Sequence, residues 1–158
     1  MPGLPTIDEL LKFLRTTPPF LSLSPVDLAE VIHLKSLVSA GEGVPIFEAG
    51  DPGDAWYLLY TGELEVITAS SEKTARTLEP GSIFGELALL DGGPRTASVR
   101  ASTEAVLLRF DTLEFHRLLD SGSPAAAKLL RALASEAIEK HRLIVGDLET
   151  GNDGNAGR

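Results

Sequence analysis

At 158 residues the chain is long enough for one domain with a real hydrophobic core. Its formal charge of −9, from 14 basic and 23 acidic residues, argues against nucleic acid or an anionic membrane as the main partner, since both require a positive surface. It has no cysteine, which excludes disulfides, thiolate nucleophiles and cysteine-held metals.

The N-terminus lacks a basic segment followed by an apolar core, and no apolar run approaches bilayer length. A cytoplasmic protein with no membrane partner is the expectation. The first predicted elements are helices over Ile7–Leu14 and Pro25–Leu37, with Ser24 as N-cap and Pro25 at the first helical position. Thr17-Pro18-Pro19 separates them.

From Lys35 the texture changes to short apolar runs between turn signals such as EAGDPGD, YTGE and DGGP. Strands are predicted over Val44–Phe47, Trp56–Tyr60, Glu63–Thr68, Thr74–Leu78, Ala97–Ala101 and Val106–Phe110. Short strands this closely spaced predict a mainly β protein, an antiparallel sandwich or barrel, with flanking helices. Helical period returns over Thr112–Leu119. Gly122-Ser123-Pro124 interrupts it, and a long helix follows over Ala125–Glu149. Its apolar residues Leu130, Leu133, Ala137, Ile144 and Leu148 recur every three or four positions. The glycine- and asparagine-rich tail, 150–158, is expected to be disordered. The expected organisation is therefore N-terminal helices over 1–34, a β unit over 35–111, C-terminal helices over 112–149 and the tail. There is no internal repeat.

One segment carries most of the functional signal. GSIFGELALLDGGPRTASVRA, Gly81 to Ala101, places a carboxylate, Glu86, at the start of a short helix-like run. It places a guanidinium, Arg95, nine residues later. Arginine offers forked donors to a phosphate, the N–H groups at a helix start offer more, and a carboxylate accepts from hydroxyls. That set suits a ligand carrying both an anion and sugar hydroxyls. The surroundings are acidic, with Lys73 and Arg76 the only basic residues between Gly41 and Pro94. An anion here must rely on Arg95 and main-chain amides.

FGELALL followed by PRTASVRA resembles the phosphate-binding cassette of the cyclic nucleotide-binding domain family, in its catabolite activator protein and protein kinase A regulatory subunit branches. FEAGDPGDAWYLLYTGELEVI resembles the family's first hairpins, and the likeness extends over about Ile7–Leu148. It implies an antiparallel jelly-roll β-barrel between an N-terminal helical bundle and a C-terminal helix pair. It further implies that Arg95 pairs with a cyclic phosphate and Glu86 accepts the ribose 2′-hydroxyl. Gly85, Leu87 and Ala88 bring main chain to the phosphate, and Thr96 is placed to bond a guanine amino group. By the same likeness His141 and Arg142 form a lid over the base. Thr96 admits cGMP, while family frequency favours cAMP; no other cofactor is implied. Leu89 is read as core.

The three histidines, His33, His116 and His141, fall on predicted helices, so no cupin-like metal triad can form in the barrel. Ser82 and Ser98 lack a nucleophile-elbow motif. The expectation is a non-enzymatic sensor, either a stand-alone member or a fragment, without a DNA-binding output. Its partners would be the nucleotide, a second copy through the C-terminal helix and an effector protein. The alternative is a nucleotide-independent scaffold or interaction module of the same fold. On this reading Arg95→Ala removes most binding and leaves thermal stability nearly unchanged.

Overall fold

The computed structural model describes residues 3–70 and 73–156, with side chains described as far as residue 140. Helix α1 (Ile7–Arg15) starts at Thr6, whose hydroxyl accepts the Glu9 N–H at 3.2 Å. A 3₁₀ turn, Phe20–Ser22, leads to α2 (Pro25–Ile32). Ser24 and Asp27 form a capping box there: the Ser24 hydroxyl accepts the Asp27 N–H, and the Asp27 carboxylate accepts the Ser24 N–H, each at 3.2 Å.

The second helix is shorter than predicted. It stops at Ile32, and Lys35–Leu37 instead opens strand β1 (Lys35–Ala40). Leu34 and Leu37 fit a helical face as well as a strand. The deciding contact is remote: Lys35 lies opposite Phe110 and Leu37 opposite Leu108 in an antiparallel ladder.

The remaining strands are β2 (Pro45–Phe47), β3 (Ala55–Thr61), β4 (Leu64–Thr68), β5 (Thr74–Leu78), β6 (Ile83–Phe84), β7 (Ala97–Ala101) and β8 (Ala105–Asp111). Helix α3 (Glu86–Asp91) sits between β6 and β7; α4 (Thr112–Asp120) and α5 (Pro124–Ala156) follow β8. Residues 150–156 are thus helical where the sequence predicts a disordered tail. Extending a formed helix adds a hydrogen bond per residue, so weak helix formers can be carried along. No helix among the described residues is long and apolar enough to cross a membrane.

The strands form two four-stranded antiparallel sheets, ordered β1-β8-β3-β6 and β2-β7-β4-β5. Among the described residues no ladder joins them, so the β unit is a pair of facing sheets and not the closed barrel expected. The edge strands β2 and β6 are three and two residues long, too short to carry pairing round the corner.

The first sheet is covered on both faces, which explains why β3 reads AWYLLY without alternation. Trp56 and Leu58 of β3, with Leu108 and Phe110 of β8, face the helices and pack with Leu10, Phe20, Phe115 and Leu129. Trp56 stacks on Phe110 at 4.2 Å between ring centroids. The alternate residues Tyr57, Leu59 and Leu107 face the second sheet and meet Leu64, Phe84 and Val99. Each such buried side chain contributes about 1.5–3 kcal/mol. An ion pair, Lys128 Nζ to Asp27 Oδ2 at 2.9 Å, ties α5 to α2. That anchoring carries the next turns of α5 toward α3.

Candidate functional site

The cassette is built at the end of β6. Gly85 takes φ +77°, a left-handed conformation that turns the chain from Phe84 into α3. A Cβ at Gly85 would lie 2.7 Å from Arg95 Nη1. The missing side chain therefore makes room first for the arginine.

Arg95 is 5% exposed. Its Nη1 donates to the Gly85 carbonyl at 3.1 Å and its Nη2 to the Ala55 carbonyl at 2.5 Å. The guanidinium carbon lies 4.1 Å from the centroid of the Phe47 ring. The acid beside it is Asp54, at 3.7 Å. Main-chain bonds fix the arginine to the loop between β2 and β3: its N–H donates to Asp51 O at 2.9 Å, and its carbonyl accepts from Gly50 at 2.8 Å. Burial pulls the pKa of Arg95 down from its ordinary value; Tyr57, Asp54 and Asp51 oppose that, and Arg109 adds to it. Arg95 Nε is buried and has no hydrogen-bond partner among the described residues. Of five guanidinium N–H donors, the two carbonyls use two.

These contacts change one expectation. Arg95 links β3, the cassette and the β2–β3 loop, so its removal is expected to cost stability as well as any anion binding.

Glu86, the first residue of α3, is 6% exposed. Its Oε1 accepts from Lys140 Nζ of α5 at 2.9 Å, and the same ammonium donates to the Ile83 carbonyl at 3.0 Å. One turn earlier on α5, the carboxyl of Glu136 is pushed above the ordinary carboxylate range. Burial is the main cause; Glu86 adds to it and Lys140 opposes it.

A cavity of about 950 Å³ brings these groups together. Gly85, Glu86, Leu87, Ala88, Arg95 and Thr96 all line it. The opposite walls are Val66 and Ala75 of the second sheet and Ala134, Ala137, Ile138 and Lys140 of α5. Ala88 is buried, whereas Leu87 and Thr96 are exposed. Leu89 is buried in the helix-facing core, as the sequence implies. His141 and Arg142 lie on α5, but their side chains are outside the described residues. Among the described residues no three of His, Cys, Asp and Glu come together to hold a metal ion.

The profile of the Cyclic nucleotide-binding domain family matches residues 37–121, more than half the chain. The chain belongs to the cyclic nucleotide-binding domain family. It is 41% identical over 107 residues to a cAMP-dependent protein kinase regulatory subunit from Emericella nidulans; that covers 68% of this chain and 26% of the relative. The chain thus spans about a quarter of the curated relatives of this kind. Among solved structures, the N-terminal domain of a transcriptional regulator from Streptomyces coelicolor A3(2) is 33% identical with a TM-score of 0.70, covering 81% of this chain and 94% of that one. Thermus thermophilus catabolite activator protein is 28% identical with a TM-score of 0.68, covering 87% and 63%.

Within this cyclic nucleotide-binding domain, sequence reasoning missed Phe47, Asp54, Ala55 and Lys140. The first three lie on or beside the EAGDPGD loop, and their turn signals said nothing of a partner some forty residues away. Lys140 follows Ala137 by three on the helix stripe, the one hint that it shares that face.

Proposed function

We propose that the chain is a cyclic nucleotide sensor, a regulatory module with no catalytic step of its own. The observation that carries this reading is the buried guanidinium of Arg95, its Nε unpartnered, lining the same cavity as the carboxylate of Glu86. A cyclic phosphate would take the remaining Arg95 donors and the N–H groups of Leu87 and Ala88. Glu86 would accept the ribose 2′-hydroxyl. The base would lie between Val66 and Ala75 on one side and Ala134, Ala137 and Ile138 on the other. Residues His141 and Arg142 would then form its lid.

We assign cAMP as the preferred ligand, in keeping with the name of the kinase regulatory subunit that the chain resembles; Thr96 at the cavity wall leaves cGMP as a second ligand. Binding would shift the population of α5 positions toward closure, and only to the extent that the closed state binds more tightly. The output would be read by an effector protein in the cytoplasm, with a second copy of the chain held along α5.

The nucleotide-independent scaffold reading draws on one observation. Arg95 and Glu86 already have partners within the chain, so the cradle is partly self-satisfied. Calorimetric titration of the purified chain with cAMP, cGMP and 5′-AMP separates the two. The sensor gives saturable cAMP binding tighter than 5′-AMP. Absence of heat with all three at about 1 mM, the weak end of specific affinity, leaves the scaffold.

A further inference from the structure

We infer that Lys140 competes with the ribose for Glu86, so that nucleotide binding hands this lysine from Glu86 to Glu136 and frees α5 to move to its closed position. The inference rests on the reading of Glu86 as the ribose acceptor.

Three facts converge on Lys140. It holds α5 to the cassette at two points, the Glu86 carboxylate and the Ile83 carbonyl. The Glu86 side chain is 7% exposed while that of Lys140 is 36% exposed, and both line the main cavity. A donor entering from that cavity therefore meets the carboxylate beside the ammonium already on it. Lys140 also lines a neighbouring cavity of about 500 Å³, together with Glu136 and Glu139. The lysine thus stands at the junction of the two spaces.

Chemistry supplies the second position. Glu136 precedes Lys140 by four residues on α5, the spacing at which a glutamate and a lysine pair on one helix face. It is a half-buried acid whose carboxyl is raised by burial and by the charge on Glu86. A ribose hydroxyl on Glu86 and an ammonium on Glu136 would satisfy both acids at once. Lys140 on Glu86 satisfies one. The lysine therefore has two discrete partners, and the nucleotide competes for only one of them, which gives a two-state element biased by ligand.

The test is a double-mutant cycle on cAMP affinity. Lys140→Met keeps the apolar stem and removes the competitor, and cAMP should bind about tenfold tighter, the size of one charge-assisted contact. Glu136→Gln removes the second partner and should weaken binding severalfold, but only when Lys140 is present; in the Lys140→Met background it should change little. Lys140→Gln serves as a second variant, and melting curves establish that each protein is folded. Wild-type binding with unchanged or weaker affinity in both lysine variants would overturn the competition. A Glu136→Gln effect of equal size in both backgrounds would overturn the transfer. Wild-type protein that binds no cyclic nucleotide overturns the sensor reading itself, and the competition with it.

Discussion

The carbonyl of Gly85 accepts from Nη1 of Arg95 at 3.1 Å, and the space where a Gly85 Cβ would stand is filled by that same guanidinium. The turn into α3 and the seat of the arginine are thus one structure. Gly85→Ala would combine a positive φ with a collision at Arg95 Nη1. The backbone strain alone costs about 1–2 kcal/mol. We expect a lower melting temperature and weaker cAMP binding together. A variant with unchanged melting and affinity would contradict this coupling.

Arg95→Ala tests the arginine's two roles. It removes two charge-assisted bonds to main-chain carbonyls, the Ala55 one buried and the Gly85 one partly so, worth about 1.5 kcal/mol or more each. For a chain of this size that lowers the melting temperature by roughly 5–10 °C. Cyclic nucleotide affinity should fall a hundredfold or more, given the donors withdrawn from the phosphate. Arg95→Lys retains the charge but not the fork, so it should recover little of either. Differential scanning calorimetry and titration on the same samples read both quantities. Lost affinity with an unchanged melt would show that the carbonyl contacts carry no stability.

Thr96 is exposed at the cavity wall and has a hydroxyl to offer a guanine amino group. Thr96→Ala should weaken cGMP binding severalfold and leave cAMP within about twofold, since one neutral hydrogen bond is worth about 1 kcal/mol. Competition of the two nucleotides for the site gives the ratio directly. Equal losses for both would place Thr96 away from the base.

Glu136 makes stability depend on pH. Its carboxyl binds a proton more tightly in the folded chain than in the unfolded one, chiefly because burial disfavours the charge. Stability contributed at low pH is therefore lost as pH rises from the ordinary carboxylate value of 4.5 through the raised one. Glu136→Gln should melt higher than wild type at pH 7, and the difference should close below pH 4.5. A constant difference across that range would assign the effect to something other than titration.

How much was legible in the sequence depended on distance along the chain. Thr74–Leu78 and Ala97–Ala101 are strands with the predicted bounds, because turn residues mark both ends. The cradle of Gly85, Glu86, Arg95 and Thr96 could be read because its residues lie within one short segment, and all of them line one cavity. Lys35–Leu37 reads as helix from sequence although it forms a strand, because its apolar spacing suits either structure and only pairing with Phe110 and Leu108 decides it. The inward fold of Arg95 onto Ala55 and Phe47 and the grip of Lys140 on Glu86 are tertiary contacts between residues some 40 to 54 positions apart. Local pattern carries no record of such pairs.

The central claim is that Arg95 and Glu86 jointly hold a cyclic ribose phosphate. A crystal structure of the chain with cAMP tests it most directly. The account predicts phosphate oxygens within hydrogen-bond distance of the Arg95 guanidinium and the ribose 2′-hydroxyl on the Glu86 carboxylate. A nucleotide seated elsewhere, or one in this cavity touching neither side chain, would contradict it.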